Sequence, residues 1–139
     1  MNKLEWVLVN PLEDDTQIKK FEKTADVIFP EDFVSCVVEN NAGYASLKNL
    51  ETVRGNNRVC NNLLTFDEKK KVNIFNVYIS VFSARGNTKL VPFAEDPFGN
   101  YICFDFSKPT AKIVFWNHET NKTEDVCDTF AEFLTKLNQ

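Results

Sequence analysis

A single histidine, His118, and four scattered glycines, at positions 43, 55, 86 and 99, deny this sequence most familiar enzyme signatures. One histidine leaves no HExxH helix and no paired-histidine metal site. Glycines this far apart leave no Walker loop and no dinucleotide fingerprint. Both motifs need neighbouring glycines, so that backbone amides can approach phosphate. No CxxC pair occurs among Cys36, Cys60, Cys103 and Cys127, which stand 24, 43 and 24 residues apart. Zinc or thioredoxin-like chemistry therefore has no spacing to build on. No run approaches the roughly 18 apolar residues of a membrane span. Met1 to Val9 holds a short apolar patch, but Glu5 interrupts it, only Lys3 precedes it, and Asn10-Pro11 follows where a small-residue cleavage site would stand. It reads as no signal peptide. Basic residues are in deficit, 16 against 20 acids, for a net charge of -4. A general nucleic-acid binder needs the opposite excess to neutralise phosphates. The expected setting is cytoplasmic, with no membrane and no direct nucleic-acid partner. In an exported protein four cysteines would form two disulfides. Without an export signal the expectation is four reduced, mostly buried thiols.

The chain has 139 residues, 43% of them hydrophobic, with 13 Phe and two Trp as core material. That length suits a single domain spanning 1–139 around one core. Four Gly and five Pro are too few for a linker-rich chain, and no repeat or low-complexity segment interrupts it.

Local patterns outline the elements. Asp14 or Asp15 caps a first helix with Ile18, Phe21 and Ala25 on one face. Pro30 suits the first position of a second helix, and Glu31 and Asp32 suit its positive dipole end. Phe33, Val34, Val37 and Val38 form that helix's stripe, and Gly43 is available for a left-handed stop. Residues 54–57 read as a turn, and Arg58 to Phe66 as extended chain. Lys71 to Ser83 fits both a helix and a strand, and its β-branched residues pull toward strand. Leu90–Glu95, Tyr101–Phe106 and Ala111–Asn117 read as a three-stranded antiparallel meander with turns at 96–100 and 107–110. Asp128 then caps a closing helix with Phe130, Phe133, Leu134 and Leu137 on one face. The sum is an α+β fold, a mostly antiparallel sheet with helices packed on one side of it. Trp116, Phe104 and Phe133 are expected between sheet and C-terminal helix.

The chemically versatile residues fall mainly in the meander. Cys103 and His118 would form a nucleophile–base dyad if adjacent strands paired suitably, while Cys103 alone is a small core residue. His118, in Trp116-Asn117-His118-Glu119, is either a contact on a binding face or a strand-end histidine bonded to its neighbours. Glu95, Asp96, Asp105 and Glu119 are candidates for an acidic partner-binding face, or are turn and edge charges. Register places Glu95, Asp96 and Glu119 at one end of the meander and Asp105 apart from them. The helical acids Glu31, Asp32 and Glu39 are the next candidates. Lys69-Lys70-Lys71, the one basic run, reads as a solvated loop or helix start. Charge alternates along the chain. Residues 1–47 hold nine acids and four bases, 48–94 three acids and eight bases, and 95–139 eight acids and four bases.

Four blocks appear in order: Leu90-Val91-Pro92-Phe93-Ala94-Glu95-Asp96, Gly99-Asn100-Tyr101-Ile102-Cys103-Phe104-Asp105-Phe106, Val114-Phe115-Trp116-Asn117-His118-Glu119, and Phe130-Ala131-Glu132-Phe133-Leu134. Together they resemble the SUKH superfamily, and more narrowly the SMI/KNR-type domain of bacterial immunity proteins. Ile18, Phe29-Pro30 and Phe33 are similar to that family's opening, so the resemblance spans roughly 14–137. It implies an α+β fold, no enzyme activity and no cofactor. It implies an intracellular protein that neutralises a cognate secreted polymorphic or contact-dependent toxin, often a nuclease. An acidic protein suits the cationic cleft of a nuclease. Eukaryotic SMI/KNR-type members imply the alternative of a regulatory scaffold that binds cellular proteins.

Overall fold

A computed structural model describes residues 3–139, so the first two positions of the expected 1–139 domain lie outside the described residues. The chain opens with a two-residue strand, β1 (Trp6–Val7), then α1 (Thr16–Ala25) and α2 (Glu31–Asn40). Of the two candidate caps, Asp15 occupies the N-cap of α1 without a side-chain cap bond, while Asp14 Oδ1 accepts the Thr16 N–H at 2.9 Å in the turn before it. Pro30 stands one place before α2, with Glu31 and Asp32 filling the first turn. The expected left-handed stop at Gly43 falls instead on Ala42, with φ 64. Gly43 is required for space. A Cβ there would lie 2.8 Å from the Asn40 carbonyl oxygen and 3.0 Å from both Trp6 Cβ and Val9 Cγ1.

Short strands follow: β2 (Tyr44–Ala45), β3 (Asn49–Glu51), β4 (Asn57–Val59) and β5 (Asn62–Leu63). β3 and β4 form a separate hairpin across the expected 54–57 turn. The 71–83 segment is helical, against the lean toward strand. It comprises α3 (Ile74–Val77), a π-helical turn at Tyr78–Phe82 and a 3-10 turn at Ser83–Arg85. Asn73 starts it by accepting the Asn76 N–H at 2.9 Å on its side-chain oxygen. A β-rich composition does not decide the element by itself: the Asn73 cap starts a helix, and its apolar side packs on the sheet, with Phe82 buried against Trp116 at 4.8 Å.

That strand is β6 (Leu90–Glu95), and β7 (Tyr101–Asp105), β8 (Lys112–Asn117) and β9 (Lys122–Cys127) continue an antiparallel meander of four strands, one more than expected. α4 (Phe130–Lys136) closes the chain. Its cap is Thr129, not Asp128: the Thr129 hydroxyl oxygen accepts the Glu132 N–H at 3.1 Å, and its proton reaches the Glu132 carboxylate at 3.1 Å. The main sheet has the order β1-β2-β5-β6-β7-β8-β9, with every pairing antiparallel.

Both faces of the sheet are covered, where one was expected. Phe33 of α2 lies 5.0 Å from Phe104, 5.5 Å from Phe93 and 5.2 Å from Phe130 of α4, ring centre to ring centre. Tyr101 is three residues from Phe104 on the same strand, so it points to the opposite face. Trp116 stands directly across from Tyr101 and shares that face. There it meets Phe82 of the π-helical turn at 4.8 Å. Trp116, Phe104 and Phe133 are all buried, as expected. Phe104 and Phe133 both pack around Phe93, while Trp116 belongs to the other layer.

Candidate functional site

One row of directly paired residues crosses the sheet: Val7, Tyr44, Asn62, Glu95, Tyr101, Trp116 and Thr123. Beyond Glu95 in that row the β6–β7 turn and the β8–β9 loop meet.

 Asp96 opens that turn and is buried. Its Oδ1 accepts the N–H of Phe98 at 2.8 Å and of Asn100 at 2.9 Å, and its Oδ2 accepts the Asn100 side-chain amide at 2.9 Å. With its NH2 held by the carboxylate, Asn100 turns Oδ1 toward the neighbouring loop. There it accepts the His118 backbone N–H at 2.9 Å and lies 2.7 Å from His118 Nδ1. An amide oxygen only accepts, so Nδ1 carries the proton in this contact. Gly99 takes φ +89, a left-handed conformation that favours glycine, and its Cα lies against the His118 ring, where a Cβ would make ordinary contact at 3.5 Å from Nδ1. The D-x-x-G-N turn and the W-N-H-E loop therefore form one lock that fixes two loops against each other.

This changes the meaning of the expected acidic face. Register puts Glu95, Asp96, His118 and Glu119 at the same end of the meander, and Asp105 at the other end of β7, opposite Lys112. Four residues at about 3.4 Å each separate Asp105 from Tyr101 by about 13 Å. The carboxylates are not equivalent, however. Asp96 is not an exposed charge, because its oxygens are committed to the turn. Glu95 is half-buried and accepts the Asn62 amide at 3.0 Å. Asp105 holds the Ser107 N–H at 2.9 Å. Glu119 and His118 are exposed, as is Phe98 at the tip of the turn. Asn100, the residue on which the lock depends, carried no assigned role in the sequence. Its signal was the Gly-Asn pair between two strands, which marks a turn but not what the amide holds.

Nucleophilic chemistry finds no support in the geometry. Cys103 is fully buried and stands opposite Val114, while His118 lies four residues further along β8, about 13 Å away by strand rise. The dyad is not assembled. All four cysteines are free of disulfides. Burial pushes each thiol up: Cys60 to about 12, Cys127 to about 11, Cys103 well above its ordinary value, and Cys36 in the same direction. Thiols held protonated are poor nucleophiles. Among the described residues no group of three or more His, Cys, Asp or Glu side chains is arranged to hold a metal ion. Nor is any helix among them long and apolar enough to cross a membrane. Lys69, Lys70 and Lys71 are exposed.

A second polar cluster ties the β3–β4 hairpin to the sheet. The Arg58 guanidinium lies over the Phe115 ring at 4.5 Å and pairs with Glu124 of β9. Asn56 and Thr52 donate to the other Glu124 oxygen. Burial alone would raise the Glu124 carboxyl, but these hydrogen bonds and the Arg58 charge outweigh it and hold the group below its usual value. The residues with conspicuous chemistry thus serve the scaffold.

Residues 15–134 match the SUKH_6 family model, described as SMI1-KNR4 cell-wall. No curated protein matches the chain. The match begins at the cap of α1 and ends inside α4, so it takes in both helical layers and the whole meander. The protein belongs to the SMI1-KNR4 family of the SUKH superfamily.

Proposed function

We propose that this protein is a cytoplasmic immunity protein that binds a cognate secreted polymorphic or contact-dependent toxin domain, of the nuclease class, and blocks it stoichiometrically. It acts by occupying the toxin, not by catalysis. Family membership supports the reading. The observation that carries it is the fate of the reactive side chains: Asp96 and Asn100 are spent on a loop lock that engages only the backbone N–H and Nδ1 of the exposed His118, and the buried thiols are held protonated. Function then falls to the surface, which is acidic overall. Glu119 and His118, with Glu95 beside them, are the proposed contacts at the locked end of the sheet. Exposed carboxylates there steer a basic partner and lose influence as salt is added. The locked loops present them without an ordering cost at binding.

Co-expression with a candidate cognate toxin domain tests the proposal. Cells carrying both should survive, and cells carrying the toxin alone should not. Death in both, with the immunity candidate folded and abundant, would overturn it and leave the regulatory scaffold as the reading to pursue.

A further inference from the structure

At the far end of the sheet from the loop lock, the linker between α1 and α2 carries an exposed isoleucine on a rigid support. Ile28 is 82% exposed, while Phe29 beside it is 3% exposed. The linker has little freedom. Asp26, at φ 56, ends α1, and the Val27 N–H returns to the Glu22 carbonyl at 3.1 Å. The buried Glu22 carboxylate then accepts the Phe29 N–H at 2.7 Å. An aliphatic side chain fixed this far into solvent wins nothing for the fold.

Ile28 forms one wall of a groove of about 440 Å³. Phe106 and Pro109 contribute apolar surface, with Phe130 at the start of α4 behind them. The only charged residues lining it are Asp32 and Asp128, both exposed carboxylates. The nearby cations are placed elsewhere. Lys89 and Lys108 line the adjoining groove on the other side of Ile28, which shares Phe106 and Pro109 with the first and also carries Glu22 and Asp26. Lys112 is held by Asp125 at 2.9 Å. An apolar trough with two carboxylates that stand in no salt bridge among the described residues complements a side chain with an apolar stem and a cationic head, next to an apolar neighbour.

We infer that the Ile28 groove is an anchoring site for a protein segment in which Lys or Arg alternates with large aliphatic residues. The cationic heads meet Asp32 and Asp128, and the aliphatic groups cover Ile28 and Phe106. As the anchor for the toxin this rests on the function proposed above, but the groove's preference for such a segment is tested without the toxin. The division of labour is physical. Carboxylates at the locked end speed encounter, whereas a preformed apolar pocket slows departure.

The probe is a capped peptide, Gly-Leu-Arg-Leu-Arg-Gly, titrated into the isotope-labelled full chain and followed by amide chemical shifts. Gly-Leu-Glu-Leu-Glu-Gly and Gly-Ser-Arg-Ser-Arg-Gly are the controls for charge and for apolar content. The Leu/Arg peptide should move the amides of Ile28, Phe106, Thr110 and Thr129 and bind about tenfold tighter than either control. The double variant Asp32→Asn, Asp128→Asn should lose about tenfold, and Ile28→Ser a similar factor. All three positions are exposed, so the fold is preserved and unchanged spectra elsewhere will show it. Equal binding of the three peptides, shifts confined to another surface, or wild-type affinity in the double variant would each overturn the inference. Failure of co-expression rescue with normal peptide binding would instead sink the immunity reading and leave the groove standing.

Discussion

Replacing Asp96 by Ala removes one carboxylate that three N–H groups use. The Phe98 N–H sits at an exposed turn tip and can rehydrate. The Asn100 backbone N–H and side-chain amide are on a residue only 8% exposed, so they lose their acceptor without gaining water. A buried donor left unpaired costs about 1–3 kcal/mol. Two of them, with some entry of water, give about 2–4 kcal/mol, a large part of the roughly 5–15 kcal/mol that holds a domain together. Asp96→Asn keeps an acceptor for the backbone N–H groups and loses only the bond to the Asn100 amide, for about 1 kcal/mol. Urea unfolding reads both. With a slope near 2 kcal/mol/M, the Ala variant should lower the midpoint by about 1–2 M and the Asn variant by about 0.5 M, with the slope unchanged. A midpoint for Asp96→Ala within about 0.2 M of wild type would refute the reasoning. It would mean that the carboxylate is solvated and free to serve a partner.

Three further outcomes follow from the packing and the titrating groups. Phe33→Ala opens a hole among Phe29, Phe93, Phe104 and Phe130 and should cost about 3–5 kcal/mol in the same urea assay; a loss under about 1 kcal/mol would show that this layer is loosely packed. Burial raises the Cys60 and Cys103 thiols, so their contribution is complete below the unfolded value of about 9 and is lost as pH rises toward the folded values. Stability should therefore fall above pH 9, and Cys60→Ala should reduce the steepness of that fall by about 1.4 kcal/mol per pH unit; equal slopes in both proteins would contradict it. Glu124 has the opposite sign: its lowered carboxyl contributes above the unfolded value near 4.5, and the contribution is lost as pH falls through the lower folded value. Glu124→Gln should flatten the acid limb below pH 4.5, and an unchanged acid limb would mean that Arg58, Asn56 and Thr52 do not hold this carboxylate.

The readable parts of the sequence were those where one face is apolar and the ends carry turn residues. β6, β7, β8, α1, α2 and α4 all meet that description, and each lies close to where the patterns put it. β9 does not. It reads Lys-Thr-Glu-Asp-Val-Cys, only Val126 is buried, and it is an edge strand whose charges discourage a further neighbour. The two-residue strands β1, β2 and β5 are set by long-range pairing, which no local window contains. Residues 71–83 carried both periods, and the choice went with the Asn73 cap and with packing of Phe82 on Trp116 across the sheet face. For the candidate site, position along the sheet was legible from turn lengths. Which carboxylates face water was not, because a buried Asp in a turn and an exposed one look alike until Asn100 is seen to fold back on it. Ile28 was hidden for the opposite reason: in Asp26-Val27-Ile28-Phe29-Pro30 it looks like one more core residue, and only the backbone of the linker turns it outward.

The central claim is stoichiometric binding by a non-catalytic surface, and titration of the purified toxin domain with this protein tests it most directly. Toxin activity should fall in proportion to the protein added and vanish at one equivalent, with a one-to-one complex recovered by size-exclusion chromatography with light scattering. Complete inactivation by a small fraction of an equivalent, or full activity in the presence of excess folded protein, would contradict it.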